Sequence, residues 1–228
     1  MAIYYGTSKK KLKLGASLVK CCVDIHLPKE YQAVEYIAAS SGVGAYMNLG
    51  FAFDTKAKIE MGLYIDETST TYPFGAAENS GALRCMLTAP YNSTKLSAYG
   101  STGTAFNGVQ TVTFTQKTLV ECEMIFEKGN LKLTNKSNGE TGTANTQAEY
   151  TMTSNMYLFA QNYNGSARYG GARRIHYFRY WDKNDKLICD LIPCYRKSDG
   201  VIGMYDIVRR AFLINIGSGS FTKGANVT

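Results

Sequence analysis

Glu121 and Glu123 are the carboxylates of this 228-residue chain whose spacing comes nearest to that of a catalytic pair. Glycoside hydrolysis needs two carboxyl groups that flank the scissile bond, and some β-sandwich families place them on one strand face in the pattern E-x-D-x-x-E. Glu121 to Phe126 lacks the central Asp and the final Glu. We therefore expect Glu121 and Glu123 to form the solvated face of a strand. We predict that the protein is not an enzyme, and a glycosidase is the last alternative.

The histidines and cysteines lack the spacing that nucleophilic or metal chemistry requires. Neither His26 nor His176, the two histidines, belongs to a Ser-His-Asp or Cys-His motif. No phosphate-binding loop and no H-E-x-x-H sequence is present. Cys122 is in phase with the apolar residues of a strand, which predicts a small buried side chain. The other cysteines, with no C-x-x-C pair among them, are Cys21, Cys22, Cys85, Cys189 and Cys194.

The remaining candidate for cation binding is the D-x-N-D cluster of Asp182, Asn184 and Asp185. Loop oxygens of Asp and Asn suit calcium. The same residues follow Trp181 directly and are typical of a hairpin turn, because short polar side chains hydrogen-bond to nearby backbone. We expect the turn and no cofactor, with calcium as the alternative.

Aromatic residues give the best indication of a binding surface. Tyr163, Arg168, Tyr169 and Trp181 lie close in sequence, among further tyrosines and asparagines. Aromatic rings supply rigid apolar area with a polar edge, and guanidinium groups add hydrogen-bond donors, so the combination suits sugar or protein recognition. Aromatic residues in strands also serve as packing, which is the alternative interpretation.

The first 26 residues differ from the rest because lysines precede the first acidic residue and alternate with apolar residues. These lysines are Lys9, Lys10, Lys11, Lys13 and Lys20. One interpretation is an edge strand or frayed arm whose lysines discourage aggregation. We favour an anchor that becomes ordered against a partner protein, because a purely solvated tail would not need the interleaved apolar residues. Nucleic acid is a poorer partner, since the basic cluster is short.

The composition indicates a mildly basic, β-rich chain. There are 25 Lys and Arg against 18 Asp and Glu, a net charge of +7, together with 22 Gly and 17 Tyr. No apolar run reaches the roughly 18 residues of a membrane span, and no signal peptide is evident, so we expect synthesis in a cytosol and no membrane partner.

From residue 27 to residue 228 the chain is predicted to form one antiparallel two-sheet β-sandwich, because short strands alternate with Gly, Asn, Ser and Thr turns. Helical periodicity is confined to one or two turns over 29–37. Strands are predicted over 58–65, 109–115, 120–126, 155–160, 174–181, 187–192, 201–205 and 211–215, and the 120–126 strand forms a hairpin with the strand that begins at Leu131.

The stretch from Asp190 to Gly224 consists of folding signals rather than chemistry. We predict that Pro193 ends a strand, that Ser198 to Gly200 form a tight turn, and that Gly203 permits a close backbone approach near Tyr205. Asp206 is expected to hydrogen-bond to the backbone of the following turn.

Two ends of this domain resemble the concanavalin A-like, or laminin-G-like, jelly-roll modules of bacteriophage and prophage minor structural proteins. The matching segments are Leu27 to Ile37, Lys58 to Ile65, Leu191 to Gly200, Gly203 to Asp206, Phe212 and Gly217 to Phe221. The segment from Tyr4 to Lys20 is similar to lysine-rich leaders of such proteins. Ser69 to Asn107 departs from the family, and recognition loops could lie there.

The resemblance implies a jelly roll without catalytic residues, carried on a phage tail, fibre or head. We therefore predict a non-enzymatic virion protein that is present in several copies, with residues 1–26 as its anchor to other virion proteins. The alternative is a carbohydrate-binding module for host or mucosal glycans, and both roles can coexist in one virion protein.

Overall fold

The computed structural model describes residues 27–227 except 40, 41, 43, 55, 67, 79–81, 92, 93, 172 and 173. The described residues form strands and no helix, so none of them forms a helix that could cross a membrane. The strands are β1 Tyr31–Ala33, β2 Ile37–Ala39, β3 Met47–Asn48, β4 Ala57–Tyr64, β5 Phe74–Glu78, β6 Leu83–Tyr91, β7 Lys95–Ser101, β8 Phe106–Val109, β9 Leu119–Glu127, β10 Asn130–Asn135, β11 Thr141–Asn145, β12 Tyr157–Leu158, β13 Gln161–Tyr163, β14 Ser166–Arg168, β15 Arg174–Trp181, β16 Leu187–Arg196, β17 Ile202–Asp206, β18 Ala211–Ile214 and β19 Phe221–Lys223.

Two sheets pack face to face and confirm the predicted all-β jelly-roll sandwich. The larger sheet has the order β11-β10-β9-β4-β15-β16-β17-β18, with β1, β2 and β19 attached to it. The smaller sheet has the order β14-β13-β5-β6-β7-β8, with β12 and β3 attached. Pairing within the described strands is antiparallel except between β13 and β5.

The core lies between the sheets because alternate residues of each strand are apolar. In β9, Val120, Cys122, Met124 and Phe126 are buried, and the register pairs this face with the buried face of β4. The turn after β9 has positive φ at Lys128 and Gly129, as a two-residue hairpin requires, which confirms the predicted β9–β10 hairpin.

The four described cysteines are free and buried. They are Cys85, Cys122, Cys189 and Cys194. Burial raises the pKa of Cys122 and that of Cys194 to about 12. These thiols are small packing groups, as Cys122 was predicted to be, because the reactive thiolate is suppressed. Cys21 and Cys22 lie outside the described residues.

The two segments that resemble the jelly-roll family meet in the larger sheet. Strand β1 pairs with β16, and β2 pairs with both β15 and β19. The bond from Glu35 N to the carbonyl of Ala225, 2.9 Å, continues this junction beyond the strands. The beginning and the end of the described chain therefore complete one sheet together.

Pro193 does not end a strand, contrary to our prediction; it lies inside β16 opposite Met204. Along one side of β16 the partner changes from β15, which pairs up to Leu191, to β1, which pairs from Cys194 onward. Proline is tolerated between the two partners because no ladder bond needs its missing N–H at that point.

The other predictions for the closing segment are confirmed, with one refinement. Gly200 N donates to the carbonyl of Arg196 at 2.8 Å in the β16–β17 turn. The close approach at Gly203 is to β18, because a Cβ there would overlap with the carbonyl oxygen of Leu213 and lie 2.7 Å from the Phe212 ring. Asp206 accepts backbone hydrogen bonds from Val208 at 2.9 Å and from Arg209 at 3.2 Å.

Three predicted elements are wrong in extent or type. Residues 29–37 form a turn followed by β1 and β2 instead of helical turns, because the sheet supplies backbone partners that a short isolated helix lacks. Residues 110–115 form only an isolated bridge, between Lys95 and Thr113. Within 155–160, only Tyr157 and Leu158 are in a strand.

Candidate functional site

Strand alternation divides the predicted aromatic group between the two sheets. Tyr163 and Arg168 lie on β13 and β14 of the smaller sheet, and Tyr169 follows directly. Trp181 lies at the end of β15 in the larger sheet, where Lys58 Nζ is 4.4 Å from the centre of its ring. Trp181 therefore does not belong to the same surface as the other three predicted contacts.

The outer face of the smaller sheet carries large side chains beside small ones. On β5, Gly75 and Ala77 face outward because Phe74 and Ala76 point into the core. The register places Tyr163 beside Ala77 on one side and Arg84 beside it on the other. The absence of bulk on β5 gives long side chains of both neighbouring strands room to lie across it.

Rings and guanidinium groups on this face stack in pairs. The guanidinium carbon of Arg168 is 3.9 Å from the ring centre of Tyr163, and that of Arg84 is 3.5 Å from the ring centre of Phe106. The rings of Tyr72 and Tyr169 are 4.8 Å apart. We name this surface the aromatic face, and it comprises Tyr72, Arg84, Tyr99, Phe106, Tyr163, Arg168 and Tyr169.

The members of the aromatic face are also electrostatic neighbours. Burial lowers the pKa of Arg84, and the phenols of Tyr72, Tyr99 and Tyr163 act on it in the opposite direction. Burial raises the pKa of Tyr72 and of Tyr99. At neutral pH the phenols of Tyr72 and Tyr99 are therefore protonated.

Two hydroxyl groups next to these residues are buried. Thr88 and Ser97 pair across β6 and β7 on the outer face, and each is at most 1% exposed. The Thr88 hydroxyl has no hydrogen-bond partner, whereas the Ser97 hydroxyl interacts with the Tyr99 phenol and acts to lower its pKa. Ser97 is two residues from Tyr99, whose hydroxyl accepts a hydrogen bond from Gln110 Nε2 at 3.1 Å. Unsatisfied buried hydroxyls cost about 1–3 kcal/mol each, so such groups often mark a functional region.

Our sequence interpretation missed four of the seven residues of the aromatic face. Tyr72, Arg84, Tyr99 and Phe106 lie within or beside the segment from Ser69 to Asn107, which we expected to contain recognition loops. Most of that segment forms β5 to β7, and its strands supply the side chains. The available signal was strand alternation, because Cys85 and Leu87 point into the core and Arg84 therefore faces outward.

The outer face of the larger sheet holds an ion-pair cluster instead. Glu60 faces Glu123 across β4 and β9, and Lys58 Nζ lies 2.9 Å from Glu60 Oε1. Lys136 Nζ is 3.3 Å from the same oxygen and 3.9 Å from Glu123 Oε2. Burial acts to raise the pKa of Glu60, but both lysines outweigh it, and the pKa lies below its ordinary value.

Glu121 and Glu123 are partly buried rather than fully solvated, because neighbouring side chains cover this part of β9. Glu123 takes part in the ion pairs just described. A glycosidase acid needs a raised pKa, and the two lysines hold the nearby Glu60 carboxylate in its ionised form. The ion pairs of Lys58 and Lys136 with Glu60 and Glu123 therefore fit a structural role.

His176 and the Asp182 cluster fit structural roles. Burial lowers the pKa of His176 to about 4, so the ring is neutral at neutral pH. Asp182 Oδ1 accepts hydrogen bonds from Asn184 N at 2.9 Å and Lys186 N at 3.0 Å, which confirms the predicted turn. Over the described ranges, no group of three or more His, Cys, Asp or Glu is placed to hold a metal ion. His26 and the predicted anchor lysines lie outside those ranges.

Comparisons with known proteins agree with the fold. No family model matches the chain, and no curated protein matches it in sequence.

A proposed carbohydrate-binding protein from Bacteroides ovatus superposes with a TM-score of 0.55 at 11% identity, over 86% of this chain and 62% of that one. Domains LG4-5 of the mouse laminin α1 chain give 0.53 at 12% identity, over 69% and 43%. A heptameric SAP-like pentraxin from Limulus polyphemus gives 0.50 at 9% identity, over 86% and 94%.

These likenesses define the class of fold. The chain is a lectin-like jelly-roll sandwich of the kind found in laminin-G domains and pentraxins. It spans less than two thirds of the length of the Bacteroides protein and of the laminin fragment. At sequence identities near 10%, a structural likeness shows a shared fold and does not show a shared function.

Proposed function

We propose that this protein is a non-enzymatic binding module that recognises a saccharide through the aromatic face. The observation that carries the proposal is the stacking of Arg168 on Tyr163 across the adjoining strands β14 and β13, and of Arg84 of β6 on Phe106 of β8. Sugar rings present apolar C–H faces and hydroxyl edges. Rigid aromatic area beside phenol and guanidinium donors complements both.

The absence of catalysis is part of the same proposal. The paired carboxylates Glu60 and Glu123 share two lysines, and the pKa of Glu60 is lowered. A lowered pKa suits a permanent ion pair, whereas the general acid of a glycosidase must hold a proton near neutral pH. Release of sugar that is lost on changing Glu60 or Glu123 to glutamine would refute this part.

Saccharide binding to the full chain can be measured on a glycan array and then by titration calorimetry with a bound glycan. We expect Tyr169→Ala to weaken binding about fivefold, because losing a stacking ring costs roughly 1 kcal/mol. Ile216→Ala is a control of equal exposure, 51% against 52%, away from the aromatic face. Trp181→Ala is a second control, and we expect it to leave binding unchanged.

Failure to bind any glycan on the array would overturn the proposal. Loss of binding with Trp181→Ala but not with Tyr169→Ala would move the site to the larger sheet.

We further propose that the module belongs to a bacteriophage virion, where residues 1–26 attach it to other virion proteins in several copies. The specific support is that the segments resembling phage jelly rolls are adjacent in space, where β1 pairs with β16 and β2 with β19. These segments are paired in one sheet next to the first described residues of the chain. Attachment through the preceding residues would leave the aromatic face available.

Deletion of residues 1–26 tests the attachment. Particles assembled with the shortened chain should lack it, while the isolated shortened chain should keep the circular dichroism spectrum and saccharide affinity of the full chain. Undiminished incorporation into particles would rule out the anchor.

A further inference from the structure

The outer face of the larger sheet is charged over β9, β4 and β15 and apolar toward the end formed by β16, β17 and β18. The charged part holds the ion pairs described above. In the apolar part, the register places Ile192, Tyr205 and Phe212 side by side on β16, β17 and β18. We name this surface the apolar end patch, and it comprises Tyr31, Ile192, Tyr205, Phe212 and Ile214.

The apolar end patch lies outside the core between the two sheets. Met204 and Leu213 pack toward that core, so the alternate residues Tyr205 and Phe212 face outward. The ring of Tyr31 on β1 lies 5.0 Å from that of Tyr205 and 4.8 Å from that of Phe212. These three rings therefore form one cluster across β1, β17 and β18, with no second sheet over it among the described residues.

The patch exposes apolar area at the end of the sheet. Ile214 is 43% exposed and lies opposite Gly203, while Ile192 and Phe212 are half-buried. Among the described strands, β18 pairs with β17 alone and is the last strand in the order of the larger sheet. Contiguous apolar area of this kind on an outer face often marks a contact with another protein.

Charged side chains lie at the margin of the patch and neutralise each other. The patch itself contains no acidic or basic residue. Arg196, whose guanidinium carbon is 5.6 Å from the ring centre of Phe212, pairs with Asp199 at 2.7 Å. An aromatic and aliphatic centre with a polar margin is the usual composition of a protein–protein interface.

The absence of net charge on the patch favours a second copy of this chain as its partner. The net charge of +7 makes copies of the chain repel one another, so they can associate only through a surface without excess charge. Contact across a two-fold axis brings the same surface together from both copies. A basic surface would then meet like charge, whereas the apolar end patch meets apolar side chains.

We propose that the apolar end patch binds a second copy of this chain across a two-fold axis. The inference goes beyond saccharide binding, because the patch belongs to the larger sheet and the aromatic face to the smaller one. Both copies of the dimer keep the aromatic face exposed. The patch is smaller than the roughly 20–30 residues of a stable interface, so we expect a weak dimer with a dissociation constant in the micromolar range.

Sedimentation equilibrium of the full chain across the micromolar range tests the association. We expect the average mass to rise from that of one chain toward that of two as the concentration increases. Ile214→Lys should raise the dissociation constant by about tenfold or more, because the two-fold axis brings both new charges into one apolar contact.

Val208→Lys is the matched control, because it adds the same charge at similar exposure, 40% against 43%. Val208 precedes β18 and lies beside Phe51 and Leu187, away from the patch. We expect this variant to dimerise like the wild type. Unchanged circular dichroism spectra confirm that both variants are folded.

A wild type that stays monomeric at every concentration would overturn the inference. Equal weakening in Ile214→Lys and Val208→Lys would assign the association to net charge, and an undiminished dimer in Ile214→Lys would assign it to another surface; either result also overturns the inference. If the wild type is monomeric and amide exchange of residues 11–20 is faster in Ile214→Lys, the chain's own first residues are the occupant instead. Saccharide affinity should be the same in Ile214→Lys and the wild type, so the two proposals can fail separately.

Discussion

Asp206 and Asp199 each form an ion pair with an arginine three residues away, yet their surroundings differ. Asp206 is fully buried, pairs with Arg209 and accepts backbone hydrogen bonds, including one from Asp190 N at 3.2 Å. Asp199 is exposed and pairs with Arg196 at 2.7 Å. Burial makes the first carboxylate expensive to remove, whereas water can replace the second.

We expect Asp206→Ala to lower the free energy of unfolding by about 3–5 kcal/mol, because it removes the acceptor of the buried Asp190 N–H and the carboxylate that pairs with Arg209. Asp199→Ala should produce only a minor change, since its contacts are exposed. Urea denaturation of both variants measures the difference. Similar stabilities for the two would contradict the role given to burial.

His176 should make stability depend on pH in a defined window. Its pKa is about 4 in the folded protein because the ring is buried, against 6.5 when exposed. The unfolded chain therefore binds the extra proton between pH 6.5 and 4, and stability falls as the pH falls through that window, by up to about 3 kcal/mol.

Unfolding of the wild type and of His176→Gln, measured from pH 7 to pH 4, checks this prediction. The variant should lose less stability over the window, because glutamine does not titrate. Parallel pH curves for the two proteins would show that His176 does not contribute.

At the scale of single strands, β15 shows how one segment serves several environments. Phe178 and Tyr180 point into the core, while Arg179 and Trp181 lie on the outer face. The register with β4 shifts between Ile175 and Tyr177, which places His176 at a bulge. Residues that are neighbours in the sequence of β15 therefore lie on opposite faces of the sheet, because successive side chains of a strand alternate.

Gly75 is required in β5 because this position on the outer face of the strand has no room for a side chain. A Cβ at Gly75 would overlap with Cβ of Met86 and lie 3.0 Å from the carbonyl oxygen of Cys85, and φ is 154°. We expect Gly75→Ala to destabilise the protein by about 2–4 kcal/mol through strain in the β5–β6 pairing. Thermal unfolding measures the loss.

Gly165, in the β13–β14 turn, is the control, since its φ is 89° and nothing lies within 4 Å of an added Cβ. Gly165→Ala should cost only the backbone penalty of about 1–2 kcal/mol. A Gly75→Ala loss no greater than this would show that the contact with Met86 relaxes.

At the scale of the molecule, both ends of the described chain hold the sandwich together. Phe221 of β19 is 8% exposed, and its ring lies 4.9 Å from that of Phe159. Val227 N donates to the carbonyl of Ala33 at 3.0 Å. The larger sheet is thus completed only when the last residues return to the first strands.

We expect Phe221→Ala to lower the free energy of unfolding by about 3 kcal/mol, because it removes a ring from the core. Thr222→Ala, at an exposed neighbouring position, should have little effect. Fluorescence of Trp181 and far-ultraviolet circular dichroism should report the same shifted midpoint if the domain unfolds cooperatively. A loss seen by only one probe would mean that the junction unfolds separately.

The sequence alone determined the class of fold, most strands of the larger sheet and the hairpin turns, because these depend on alternation and on local turn chemistry. β15 was predicted with its observed bounds, and the Asp182 and Asp206 turns were recognised from side chains that bond to nearby backbone. The strand predicted over 109–115 failed because partner strands, and not alternation, decide where pairing stops.

Only the tertiary structure decided which residues form the candidate site. Tyr163 and Arg168 were found from sequence, but Arg84 and Phe106 join them through pairing between strands distant in the chain. Trp181 does not belong to the candidate site because it lies on the larger sheet, opposite the aromatic face. The surface of a sheet depends on which strands pair and in which register, and here the paired strands are distant in the chain. Single strands could therefore be predicted from local sequence, whereas the surface that they share could not.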